Sequence, residues 1–136
     1  MWREIKVLLI DSQSPRRHDL KVILDFVGEE TVEADESNWG QVLEQHGQGS
    51  FTCAIVGAVK GLSDLSQALI DWDPALPLIL VDEAHTEQIE CEDTQKAVIA
   101  RVETPPNYTK MMDTLHRAQV YKEHLSADPV RAQRRE

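Results

Sequence analysis

Short, nearly continuous apolar runs stand at 5–10, 52–56 and 76–81, and the first two are each followed by a segment whose apolar residues recur at helical spacing. A strand of β-branched and leucine residues without polar alternation needs cover on both faces, and a parallel sheet flanked by crossover helices provides it. After the first run Asp11 ends the strand. Ser14 is placed to cap a helix with Pro15 in its first turn, and Leu20, Ile23, Leu24 and Val27 form one apolar stripe that Gly28 terminates. A weaker unit follows: 29–34 reads as an edge strand, and Ser37 with Trp39, Val42, Leu43 and His46 as a second amphipathic helix. The third helix turns Leu62, Leu65, Leu69 and Ile70 inward, carries Trp72 near its end and is broken by Pro74. A short polar helix is predicted from Thr86 to about Lys96 and a fifth strand over 97–102. The turn Thr104-Pro105-Pro106-Asn107 then leads into a last helix from about Tyr108.

Five strands alternating with five helices predict a doubly wound α/β fold, a flavodoxin-like parallel sheet in the order 2-1-3-4-5. At 136 residues the chain is one domain. Its longest apolar stretches fall far below the roughly 20 residues of a membrane helix. The N-terminus has neither the basic and apolar regions nor the cleavage site of a signal peptide, so a cytoplasmic location is expected. Cys53 and Cys91 are expected as free thiols, because a core of this size needs no disulfide. The net charge of −10 is uneven: 1–103 hold 8 Lys/Arg against 20 Asp/Glu, a balance of −12, and 104–136 hold 6 against 4, a balance of +2. So acidic a body repels phosphodiesters and argues against nucleic-acid or anionic-membrane binding by this domain.

In such a sheet, chemistry gathers at the carboxyl ends of the strands, here at Asp11-Ser12, Gly57, Asp82-Glu83 and Thr104-Pro105. Along 5 to about 122, the order of elements and these signatures resemble the receiver domains of two-component response regulators. The resemblance implies an acidic pair after the first strand to hold Mg2+, an acceptor Asp ending the third strand, a Thr or Ser after the fourth, and a Lys after the fifth. In this chain each position departs from that pattern. Asp11 is followed by Ser12 and not by a second acid, Gly57 stands at the acceptor position, and 51–61 contain no Asp or Glu. Asp82 stands where the hydroxyl would be and Thr104 where the lysine would be, leaving Pro105 as the one retained part of that motif. Capping the following turn is the expected role of Asp11, and solvated loop charges that of Asp82 and Glu83. Gly57-Ala58-Val59-Lys60-Gly61 lacks the spacing of a phosphate loop, and His85 with Cys91 lacks a second ligand pair for zinc. No metal, cofactor or catalytic residue is therefore expected. Cys53 reads as a small buried strand residue, and Trp39 and Trp72 as cover at the edge of the core.

Tyr108, Met111, Leu115, Ala118, Lys122 and Leu125 step along the last helix by threes and fours, a coiled-coil seam interrupted at Lys122. Met111, Met112, Leu115 and Ala118 are expected against the sheet, with Tyr121 and Leu125 beyond its reach as a signalling or dimer contact. Residues 126–136 have linker composition, so 1–122 are read as the domain and 123–136 as the helix end and linker. The opening Met1-Trp2-Arg3-Glu4, the blocks Lys6 to Asp11 and Asp19 to Glu29, and Pro105-Pro106-Asn107-Tyr108-Thr109-Lys110 leading into Leu115 to Tyr121 resemble the N-terminal domain of the FleQ family of flagellar regulators. That resemblance implies a sigma-54-dependent activator of flagellar and biofilm genes. It places nucleotide and DNA binding in ATPase and helix-turn-helix domains downstream of this segment. The expected function is non-enzymatic: a degenerate receiver that acts on its own ATPase domain, or on a regulatory protein partner, through contacts and homodimerisation. Two alternatives have other chemistry. One is phosphotransfer on a displaced carboxylate such as Asp64 or Asp82. The other is a flavodoxin-like nucleotide-binding module, against which the absence of Gly in the 11–15 turn counts.

Overall fold

The computed structural model describes residues 6–27, 29–82 and 84–127, and of 125–127 only the helical backbone. The strands are β1 (Lys6–Ile10), β2 (Glu30–Ala34), β3 (Cys53–Val56), β4 (Leu78–Val81) and β5 (Val98–Val102). All pair in parallel in the order β2-β1-β3-β4-β5, the predicted arrangement. The helices are α1 (Ser14–Phe26), α2 (Trp39–Gln45), α3 (Leu62–Trp72), α4 (Glu92–Lys96) and α5 (Tyr108–Ala127).

The period of two along each strand divides the core into two layers. Leu8, Ile10, Ala54, Val56, Leu78 and Leu80 face Val42 and Leu43 of α2 and Leu62, Leu65 and Leu69 of α3. Val7, Leu9, Cys53, Ile55, Ile79 and Val81 face Leu20 and Leu24 of α1 and Met111, Leu115 and Ala118 of α5. The two central runs therefore have no polar position to spare. Trp39 and Trp72 pack at the edge of the first layer. Burial pushes the Cys53 thiol up to about 12, so it stays protonated as a small apolar group, and both cysteines are free.

Several local expectations are corrected. Gln13, not Ser14, is the residue before α1, and no side chain caps that helix; Asn38, not Ser37, precedes α2. The predicted fourth helix is split into a 3-10 turn at Thr86–Gln88 and the single turn of α4, because the chain between them becomes extended to bury Ile89 completely. Met112 is 46% exposed and does not pack on the sheet. Tyr121 does not project: its hydroxyl donates to the Lys96 carbonyl at 3.4 Å. Lys122, read as a break in a seam, points into its own domain, where Nζ reaches Asp73 Oδ2 at 3.3 Å and donates to the Phe51 carbonyl. Asp73 is 1% exposed and also accepts from the Ala75 amide at 3.1 Å. From Met111 to Lys122 the seam is thus consumed inside the domain, while Tyr108 at its start is exposed. The Gly28 stop, Glu83, the Leu125 side chain and the linker at 128–136 lie outside the described residues.

This anchor gives a first prediction. Lys122→Ala withdraws a charged donor from a buried carboxylate and should lower stability by about 1–3 kcal/mol in urea unfolding; an unchanged midpoint would show that α5 does not depend on it.

Candidate functional site: an ion-paired cleft at the sheet mouth

Asp11 directly follows β1 and is completely buried. Its amide donates to Ala34 of β2 at 3.2 Å, which places the carboxylate over the end of β3. Oδ1 accepts from the Gln13 amide at 2.9 Å, closing the turn into α1 in the predicted capping role. The same carboxylate also takes a bidentate fork from Arg16, Nε to Oδ2 at 2.5 Å and Nη2 to Oδ1 at 2.8 Å. Arg17 Nη1 donates to the Asp11 carbonyl at 2.6 Å. Two arginines in the first turn of a helix oppose its dipole. Tertiary oxygens outweigh that local preference here, and this is why the sequence alone did not single out Arg16.

The third guanidinium nitrogen extends the pair across the mouth. Arg16 Nη1 lies 3.5 Å from Asp82 Oδ2. Asp82 ends β4 with φ of 48°, a left-handed conformation that Asp tolerates better than most residues. Its carboxylate accepts from the Thr104 amide at 3.0 Å and from the Thr104 hydroxyl. Arg101 of β5 donates to the Asp82 carbonyl and, at 2.6 Å, to that of Ala84. Burial alone would push the Asp82 carboxyl up. The Thr104 hydroxyl and amide, with the Arg16 charge, outweigh that and hold it below its ordinary range. Asp82 is therefore no solvated loop charge, contrary to expectation: it joins the β1, β4 and β5 ends through Arg16 and Thr104.

Gly57 ends β3 beside this pair, its amide donating to Ile10 at 2.8 Å. A Cβ built on it would lie 2.7 Å from Asp11 Oδ1 and closer still to Cγ and Oδ2. The need for Gly is steric: Asp11 fills the volume in which a side chain at 57 would begin. Ser12 turns away, its hydroxyl donating to the Ala58 carbonyl at 2.6 Å. Pro105 follows Thr104 through a cis peptide bond. Asp64, one displaced-carboxylate candidate, is exposed on the first turn of α3.

Receiver domains imply a divalent cation, and these residues do not fit one. Mg2+ requires oxygen ligands in near-octahedral geometry, whereas both Asp11 oxygens already accept from Arg16 and the neighbouring Ser12 is turned away. Among the described residues no three His, Cys, Asp or Glu side chains come together as a metal site. Of the last-helix candidates, Met111 and Leu115 are core residues at 1% and 2% exposure, Tyr121 packs against the β5 approach, and Tyr108 is partly exposed against Phe26. The steric reading of Gly57 is testable. Gly57→Ala should cost about 1–3 kcal/mol in chemical denaturation, and much less in an Asp11→Ala background where the overlap is gone. Equal costs in both backgrounds would show that Asp11 does not set the requirement.

The fold is shared with solved receiver domains. A response regulator receiver domain protein from Clostridium thermocellum matches with a TM-score of 0.72 at 18% identity, over 89% of this chain and 98% of that one. A response regulator receiver protein from Pseudomonas putida matches at 0.65 and 18% identity, over 86% and 99%. NtrX from Brucella abortus matches at 0.72 and 15% identity, over 89% of this chain and 28% of NtrX. At these identities the likeness establishes the fold alone. Among the described residues no helix is long and apolar enough to cross a membrane. The family described as Flagellar regulatory protein FleQ matches residues 6–120, and with that match over most of its length, this receiver-fold chain belongs to the FleQ family.

Proposed function

We propose that this chain is a regulatory domain that works without phosphorylation. In this reading 1–122 form the domain and 123–136 the end of the last helix and a linker. The domain modulates the attached ATPase of a sigma-54-dependent activator of flagellar and biofilm genes through contacts between domains and between copies. The observation that carries this reading is Gly57 at the acceptor position with the Asp11 carboxylate in the adjoining space. An acceptor must present a free carboxylate oxygen to the phosphoryl donor, with a cation to offset the charge that develops. Here the nearest carboxylate is buried under a guanidinium. The displaced-carboxylate alternative loses support at Asp82, which is held by Thr104 and Arg16, and Asp64 stands on α3 away from the strand ends. The nucleotide-binding alternative loses support because in the β1–α1 turn the Ser12 hydroxyl is spent on the Ala58 carbonyl and the Asp11 carboxylate on Arg16 and the Gln13 amide. Incubation with acetyl phosphate and Mg2+ should leave the intact mass unchanged; a stable phosphoryl adduct would overturn the reading.

Without a phosphoryl switch, regulation rests on contacts that differ between assembly states. Self-association supplies them in this proposal. A strip of exposed apolar side chains supports it: Val22 and Phe26 on α1, and Tyr108 and Met112 on α5, with the Phe26 and Tyr108 rings edge to face at 5.0 Å. Phe26 is 74% exposed. Phe26→Glu combined with Met112→Glu should weaken dimers by at least about tenfold in sedimentation equilibrium, and an unchanged dimer constant rejects this face.

A further inference from the structure

We infer that Arg16 is the resident cation of this cleft: a permanent, covalently tethered substitute for a divalent metal that latches the β4 and β5 ends to β1 in one arrangement. The inference deepens the phosphorylation-independent reading above and rests on it.

Three strand ends deliver oxygens to one place. Asp11 after β1 is completely buried, the Asp82 side chain at the end of β4 is 20% exposed, and Thr104 follows β5. Among the described residues Arg16, itself 12% exposed, is the side-chain cation within ion-pair distance of both carboxylates. Two carboxylates held this far out of water repel and lose hydration, so the arrangement requires a positive charge between them. A guanidinium supplies it with a fixed fork: two nitrogens serve Asp11 and the third turns toward Asp82. Thr104 completes the relay by donating both its amide and its hydroxyl to Asp82. Arg101 then ties β5 to the Asp82 and Ala84 carbonyls from below the turn. The relay Asp11–Arg16–Asp82–Thr104 thus joins the turns that follow β4 and β5 to the base of α1 with no exchangeable part.

The consequence is local rigidity that needs no ligand. A metal-filled cleft gains stability with cation concentration, by linkage; a cleft filled by its own side chain does not. The turn after Asp82 leads through the 3-10 segment to the single-turn α4, and the turn holding Thr104 leads into α5. The turns themselves are short, and the relay adds a tie to the base of α1 beyond the hydrogen bonds that they make locally.

Hydrogen exchange on the intact chain separates the outcomes. In wild type, excess Mg2+ should leave the melting temperature unchanged; a cation-dependent rise overturns the inference. Arg16→Ala should accelerate exchange by about tenfold or more in 84–91 and 103–107 while the central β1 and β3 amides change much less. Should Arg16→Ala fail to fold, Asp82→Asn removes only one arm, and Arg16→Lys keeps the charge but not the fork. Both should show the same loop-specific acceleration in smaller degree. Unchanged loops, or a uniform acceleration across the chain, overturn the latch. A phosphoryl adduct on the wild-type protein would instead count against the phosphorylation-independent reading, so the two failures are distinguishable.

Discussion

Asp11 has no contact with solvent, and a carboxylate so placed costs several kcal/mol unless its charge is met at close range. Arg16 meets it with two hydrogen bonds, and the remaining features of the sheet mouth follow from that pairing. Gly57 is required because the paired carboxylate occupies the space beside its α-carbon. Asp82 can ionise under partial burial because the same guanidinium and Thr104 attend it. Arg16 and Arg17 can sit against the dipole at the start of α1 because tertiary oxygens wait for them. Removing any one of these residues leaves a neighbour with an unmet charge or an unfilled space.

A guanidinium and a divalent cation differ in what they permit. Mg2+ exchanges with solvent and accepts a substrate oxygen as a ligand; Arg16 is fixed to the chain and its hydrogen bonds are already committed to protein carboxylates. A cleft built this way keeps the receiver's three-loop geometry and replaces the reversible part of the chemistry with a permanent one. At the opposite edge of the sheet, Lys122 on buried Asp73 ties α5 to its own domain beyond the core residues Met111, Leu115 and Ala118. In the reading proposed above, changes in contact, and not changes at the mouth, are what the domain transmits.

The architecture was legible in the sequence because burial on two faces demands uninterrupted apolar strands, and these are visible as runs. The strand order, the α1 stripe, the inward face of α3 and the buried role of Cys53 all follow from residue type and spacing. Spacing failed where a side chain's role depends on a distant neighbour. Met112 shares the apolar pattern of α5 yet faces outward, Tyr121 turns back to Lys96, and Lys122 reads as an interruption although it anchors the helix. The predicted fourth helix was lost to one residue, Ile89, whose burial bends the backbone out of helical geometry.

By itself the sequence determined the layered α/β fold and the absence of any Asp or Glu over 51–61, since both are read from local composition and the order of elements. The tertiary structure alone decided that Asp11, Arg16, Asp82 and Thr104 form one charged relay. Asp82 lies 66 positions from Arg16 and 22 from Thr104 along the chain, and nothing in the local pattern of charges distinguishes these residues from solvated ones. Their meeting is set by parallel strand pairing, which brings every strand's carboxyl end to the same edge and withdraws those charges from water together.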